Sequence, residues 1–452
     1  MKISTVKGTN DYLPQEVALR DYLQSVILDT YKASGFERIS TPAIEDIENL
    51  DKSDGGENLN LIFKIMKRGD KLEAALRSGD EKELADMGLR YDLTLPLSRY
   101  YANNKNNLAL PMKCIQIDKV YRAERPQKGR LREFVQCDID IIGSSSITCE
   151  VELIQTTAKA LLAIGMKDFT VKVNDRRILR GMLLPMGFAE DELDSVCITF
   201  DKMDKVGVDG VRAELTEKGC AAEAIDALCK MLEGGKVKLD AVAQMLPENE
   251  AVGNVRRILD AANAISDGRY GVVFDLSLVR GQGYYTGTVF EVESNEFRGA
   301  IAGGGRYDNL IGKFTGEKVP AVGFSIGFER IFGILSGAGF AIPDEKQKIA
   351  VFCDDGSALE GARLAETLRE SYIVSLLERP KKLGKMLGRL QERGYAGYLV
   401  LGEGDEIKFF ESKSASEPGE ASLPPACYFV ADIATAGRAC YTFSNSESGR
   451  NP

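Results

Sequence analysis

The chain comprises 452 residues and 49.5 kDa, with 44% hydrophobic and 28% charged residues, which places it among globular chains with large cores and predicts two or three domains. Its 58 Lys plus Arg against 68 Asp plus Glu give a net charge of −10, so the whole molecule repels polyanions and any nucleic-acid contact needs a local basic patch. No histidine occurs anywhere, which excludes the commonest general base and transition-metal ligand and leaves chemistry to carboxylates, guanidinium groups, phenols or a bound ion.

The N-terminal MKISTVKGTNDYLP lacks an apolar signal core, and no stretch approaches the roughly 18 apolar residues of a membrane helix, so a cytoplasmic protein is expected. Helical spacing of Val17, Leu19, Tyr22, Leu23, Val26, Ile27 and Tyr31 predicts a helix over 15–34, closed by Gly35. FERISTPAIE reads as a strand ending at Pro42, and residues 49–88 as a polar loop with a short helical insertion. LRYDLTLPLSRYYANN, MKCIQIDKVYRAE and REFVQCDIDIIG alternate as strands, then 150–164 is an amphipathic helix and TVKVND a strand. From Arg176 to Asp267 helical windows dominate, which predicts a helical insertion. Strands return from Gly271 through VPAVGFSIG, and LSGAGFAIPDEKQ reads as a linker. Beyond it the chain alternates as βαβαβ, a small α/β domain, before a Ser-, Gly- and Glu-rich tail expected to be disordered at its end. The nine cysteines lie at least nine residues apart, so no CxxC motif exists, and they read as reduced, mostly buried thiols.

Two clusters carry the chemistry. YRAERPQKGRLREF crowds Arg122, Glu124, Arg125, Lys128, Arg130 and Arg132 into a loop between strands. On the returning strand Gln136, Asp138 and Asp140 recur at period two, and a buried face would not carry an amide and two carboxylates without a ligand or partner charge. Guanidinium forks beside paired acids suit an anionic substrate together with an amine, such as ATP with an amino acid. The second cluster, DLSLVRGQGYYTGTVFE, sets Arg280 before Gly-x-Gly and two tyrosines. AGGGRYDNL is neither a Walker loop nor a dinucleotide loop.

These residues carry a resemblance to the histidyl-tRNA synthetases, a class II aminoacyl-tRNA synthetase family, over essentially the whole chain. GFERISTPAIE resembles class II motif 1, YRAERPQKGRLREF motif 2 and GFSIGFERI motif 3; VRGQGYYTGTVFE and AGGGRYDNL resemble the two histidine signatures, and KGTNDYLP, LRYDLTLP and VKVNDRRIL further segments of the family. The usual signature has Leu-Asp where Gln282 and Gly283 stand.

The resemblance implies an α+β class II catalytic core with an antiparallel sheet and a helical insertion, followed by a C-terminal α/β anticodon-binding domain, in a homodimer joined through motif 1. Its implied divisions are core residues 1–175, an insertion at 176–267, core residues 268–335, a linker at 336–346 and the anticodon domain at 347–452 with a flexible tail. It implies activation of histidine by ATP with Mg2+, no resident metal site, and transfer to histidine tRNA. By motif, Arg122, Arg280 and Arg330 would act on the ATP phosphates, Glu124, Arg130 and Phe134 on the rest of ATP. Asp92, Thr94 and Gln136 match positions for the α-amino group, and Asp140, Tyr284, Tyr285 and Tyr307 positions around the imidazole. Arg125 and Gln127 match acceptor-end contacts, while the basic helix RPKKLGKMLGRLQER offers Lys381, Lys385 and Arg389 to RNA. The alternatives are a histidine-binding regulatory paralogue of the ATP-phosphoribosyltransferase type, or a ligase for another amino acid.

Overall fold

A computed structural model describes residues 3–52, 60–126, 129–200, 202–235, 237–279, 283–404 and 406–410. They fall into two compact units that divide between Ile342 and Pro343.

In the first unit α1 (Pro14–Ala33) buries Leu19, Leu23, Ile27 and Tyr31, a stripe at helical spacing. Pro14 occupies its first turn, where a missing N–H costs nothing. The expected single strand around Pro42 is instead two short ones, β1 (Glu37–Arg38) and β2 (Ile44–Asp46). Pro42 has no amide donor for a ladder, and the chain changes sheets there. The region read as a loop contains α2 (Ile47–Leu50), β3 (Lys64–Met66), α3 (Asp70–Ser78) and β4 (Ala85–Leu89). Its strands form a small sheet in the order β2-β4-β3.

A second correction concerns TLPLSRYYANN, which is helix α4 (Thr94–Asn104) and not strand. Residues Thr94 through Ser98 are all buried, so burial on several sides erases the helical period from the sequence. Pro96 lies in the first turn, where proline is tolerated. The Asp92 carboxylate accepts the Leu95 N–H at 3.1 Å and so caps this turn.

Strands β5 (Met112–Tyr121) and β6 (Glu133–Ile142), helix α5 (Thr148–Ala163) and β7 (Phe169–Asp175) follow. Then come the helices α6 (Arg176–Leu183), α7 (Leu193–Phe200), α8 (Met203–Glu217), α9 (Ala222–Glu233), α10 (Leu239–Met245) and α11 (Glu250–Ser266). Their buried side chains share one apolar cluster with α1, α5 and the main sheet. The unit closes with β8 (Gly271–Phe274), β9 (Thr288–Ser294), β10 (Phe297–Arg306), α12 (Gly312–Thr315), β11 (Ala321–Gly327) and α13 (Phe328–Gly337). Part of the expected linker belongs here, because α13 runs to Gly337 and Phe340 and Ile342 pack on the core.

Among the described residues the main sheet has eight strands in the order β1-β5-β6-β11-β10-β9-β7-β8. The run from β5 to β7 is antiparallel, and the edge pairs β1 with β5 and β7 with β8 are parallel. Two buried ion pairs tie these elements together, one between the sheet and a helix and one between two helices. Arg306, at the end of β10, holds Glu150 of α5 through Nε and Nη2 at 2.6 and 2.8 Å, with both side chains at least 93% buried. Arg20 of α1 holds Glu329 of α13 at 2.6 and 2.8 Å, and its guanidinium lies 4.0 Å from the Tyr12 ring centroid.

The second unit has β12 (Lys348–Cys353), α14 (Ala358–Leu368), β13 (Ile373–Glu378), α15 (Leu383–Glu392), β14 (Tyr395–Val400) and β15 (Lys408–Phe409). Its sheet order is β13-β12-β14-β15, parallel across the first three strands. Leu390 of α15 is buried among Leu383, Met386 and Leu387. Lys385 and Arg389 are exposed. Lys381 precedes the helix in a turn and does not continue the stripe by helical geometry.

Candidate active site

One cavity of about 430 Å³ opens on the main sheet of the first unit. Period-two alternation along β6 turns Gln136, Asp138 and Asp140 to this cavity. Facing them across the ladder stand Gly327, Ser325 and Gly323 of β11. A Cβ at Gly323 would lie 2.0 Å from Asp140 Oδ1, and one at Gly304 2.1 Å from the Gly323 carbonyl oxygen. The glycines of AGGGR and VGFSIG thus give strands and carboxylate the room to meet.

The floor is a set of carboxyl groups and phenols. Tyr307 Oη donates to Asp140 Oδ1 at 2.6 Å, and Tyr284 Oη donates to Asp92 Oδ2 at 3.2 Å. Arg306 anchors the residue before Tyr307, and the Tyr307 N–H donates to the Ala321 carbonyl at 2.7 Å. Tyr285 is half-buried beside them, edge-on to Tyr284 at 5.2 Å, and its carbonyl accepts from Arg176 at 2.7 Å. Burial pushes Asp140 up to about 7, with the Asp92 charge adding to the shift and the Tyr307 hydrogen bond opposing it. Burial also raises Asp92, against the Leu95 N–H and the charge of Arg122.

The other wall is cationic. Arg122 is held by the Tyr91 carbonyl at 3.0 Å and lies 5.1 Å from the Phe134 ring centroid. Glu124 pairs with Arg130 at 3.4 Å. Arg330 donates to the Ala300 carbonyl, and burial, reinforced by the charge of Arg130, holds its pKa below the ordinary value. Three guanidinium groups converge here with Glu124 and Glu291 among them, an arrangement that can take an anion in bidentate hydrogen bonds.

The cavity therefore brings together Asp92, Thr94, Arg122, Glu124, Arg130, Phe134, Gln136, Asp140, Tyr284, Tyr285, Tyr307 and Arg330. Arg125 is exposed and does not line it. Arg280 and Gln127 lie outside the described residues, as do Gln282 of the divergent signature and Lys128 of the motif 2 loop. Lys381, Lys385 and Arg389 belong to the second unit. Sequence reasoning placed Asp138 on the polar face of its strand without giving it a role and passed over Glu291, Ser325 and Glu329; all four line the cavity. For Asp138 and Ser325 the signal was strand alternation; Glu329 acts through Arg20, 309 residues away, and through the Val135 N–H at 3.1 Å. The seven described cysteines are free thiols, six of them buried.

An antiparallel sheet bearing a carboxylate-phenol floor that continues into an arginine-lined cleft is the layout of a class II aminoacyl-tRNA synthetase core. The family model described as histidyl-tRNA synthetase matches residues 8–331. The chain is 42% identical to a histidine–tRNA ligase from Leifsonia xyli subsp. xyli, over 88% of this chain and 95% of that one. It is 40% identical to a histidine–tRNA ligase from Phocaeicola vulgatus, over 92% and 96% of the two chains. The crystal structure of histidyl-tRNA synthetase from Nostoc sp. PCC 7120 superposes with a TM-score of 0.73 at 28% identity, over 88% of this chain and 91% of that one. The chain belongs to the histidyl-tRNA synthetase family.

Proposed function

We propose that the cavity activates histidine with ATP, forming histidyl-adenylate and pyrophosphate, and passes the acyl group to histidine tRNA. The observation that carries this reading is the continuity of the two walls. One cavity offers acceptors for an ammonium and a ring N–H at one end and three guanidinium groups for phosphates at the other.

In this reading Asp92, Thr94 and Gln136 take the α-ammonium. Asp140 accepts from one ring nitrogen. Because the Tyr307 proton is committed to Asp140 and that of Tyr284 to Asp92, these two phenols orient carboxylates, and Tyr285 is left to meet the other ring nitrogen. A substrate without this polar edge leaves buried groups unpaired, which rejects it. Phe134 stacks on adenine, with Glu124 and Arg130 at its edge, and Arg330 takes the γ-phosphate. Arg122, joined by Arg280, stabilises charge that builds on the α-phosphate as the histidine carboxylate attacks in line. The activation step, an attack by a carboxylate, moves no proton and needs no general base, in keeping with a chain that has no histidine. Mg2+ enters with ATP as part of the substrate.

Arg125 and Gln127 are assigned to the acceptor end of the tRNA, and Lys381, Lys385 and Arg389 to its backbone. The chain is proposed to work in the cytoplasm as a homodimer. No helix among the described residues is long and apolar enough to cross a membrane.

Histidine-dependent ATP–pyrophosphate exchange tests the reading. Exchange with histidine and charging of histidine tRNA is the expected result; no exchange overturns it, and exchange without charging redirects it to a paralogue. Arg280→Ala should abolish exchange and leave thermal unfolding unchanged.

A further inference from the structure

Two buried acceptors on the cavity wall have no hydrogen-bond partner among the described residues: Gln136 Oε1 and Asp138 Oδ1. They stand two residues apart on one face of β6, and both residues line the cavity. The neighbours opposite Asp138 are engaged by other groups as well. Gln116, opposite it on β5, spends its amide on the Leu93 carbonyl and its carbonyl on the Thr41 hydroxyl, both at 3.0 Å. Ser325, opposite it on β11, accepts from Gln136 Nε2 at 2.9 Å and has one hydroxyl proton to offer to two carboxylate oxygens.

A buried carboxylate with an unpaired oxygen is costly, and Asp138 is 5% exposed. The groups that act on it are Asp140 on its own strand, Ser325 on β11, Asp92 before α4, Arg122 after β5, Cys114 on β5, and Tyr285 beside the floor phenols. On its far side Tyr31 of α1 and Cys137 also feel its charge. Only Arg122 among these is a cation. Burial, then the charge of Asp140, holds the Asp138 carboxyl well above the usual range, against the Ser325 hydrogen bond and the charge of Arg122, and so favours its protonated form.

Resting on the histidine reading of the cavity, we propose that Asp138 is a specificity-determining acceptor for the ligand's α-ammonium group, and that it gives up a proton when that ammonium enters. The Asp138 O–H bond breaks, the proton passes to solvent buffer, and an ammonium N–H donates to the carboxylate so formed. Amino acid binding is thereby coupled to proton release, and the cation on the ligand offsets a charge that burial disfavours.

Titration calorimetry of the full chain tests this with histidine and its des-amino analogue, imidazole propionate, in two buffers of different ionisation enthalpy near pH 7. The wild type should release protons on binding histidine. Asp138→Asn should release fewer, bind histidine roughly ten- to a hundredfold more weakly, and bind the des-amino analogue as the wild type does. It should also resist denaturant at least as well as the wild type at alkaline pH, since it removes an unpaired buried carboxyl. Equal proton release with histidine affinity within about twofold overturns the proposal, as does a loss confined to stability. Asp138→Ser provides the same readings should the asparagine variant fold poorly. A wild type that binds histidine without releasing protons overturns this proposal alone; one that binds no histidine overturns the reading of the cavity with it.

Discussion

Replacing Tyr307 by Phe removes one proton donor and leaves the ring in place. The lost bond, Oη to Asp140 Oδ1 at 2.6 Å, is short, buried and directed at a carboxylate. Such a bond favours the ionised form by about 1.5–3 kcal/mol, or about one to two pH units. Burial pushes Asp140 up to about 7 with the bond present, so Tyr307→Phe should move its midpoint about one to two pH units higher. Asp140 must be ionised to accept from the ring N–H, so kcat/KM for histidine rises with pH through that midpoint. The variant should lose about tenfold or more near neutrality and recover most of it at high pH. The assay is pyrophosphate exchange at low histidine concentration across the pH range, with thermal unfolding as a control. A profile that falls in height but keeps the wild-type midpoint would refute the assignment of Tyr307 as the donor that keeps Asp140 ionised.

Three further outcomes are expected. The native state keeps a proton on Asp140 that the unfolded chain has already lost, so this group lowers stability progressively as pH rises from about 4 to about 7. Asp140→Asn should therefore gain on the wild type across that window, by about 4 kcal/mol at most, in denaturant titrations at both ends; a gain independent of pH contradicts the argument. Arg20→Met strands the Glu329 carboxylate, whose side chain is 13% exposed, and should cost about 3–5 kcal/mol of unfolding free energy; a loss under about 1 kcal/mol means the pair is dispensable. Changing Lys381, Lys385 and Arg389 to Ala should flatten the salt dependence of tRNA binding by roughly 2–3 in log–log slope and spare histidine exchange; an unchanged slope removes these residues from the RNA interface.

The part of the site built on β6 was legible because a strand has a strict period of two, and polar residues at that period on a buried face demand a reason. Its partners were not. Glu329 meets Arg20 across 309 residues of sequence, and nothing local announces that contact. Helix α4 was misread because Thr94 through Ser98 are buried without regard to helical phase, so periodicity carried no information there. The glycines of AGGGR signalled close approach without its object; only the pairing register shows that Gly304 faces Phe324 and that Gly323 makes room for Asp140. Alternation put Asp138 on the right face, whereas its missing hydrogen-bond donor is a property of the assembled site. The roles of Arg122, Arg330 and the tyrosines came from resemblance, and the cavity then set Tyr307 and Tyr284 apart from Tyr285.

The pairing of Asp140 with Tyr307 in a chain without histidine has an experimental consequence. In proton spectra of the complex, the C2 and C4 resonances of the imidazole arise from the ligand alone, because no side chain contributes one. Their positions report the tautomer and charge of the bound ring without isotopic editing. A titration followed at those two carbons would watch the substrate feel the carboxyl groups beneath it, making bound histidine a probe of the electric field that selects it.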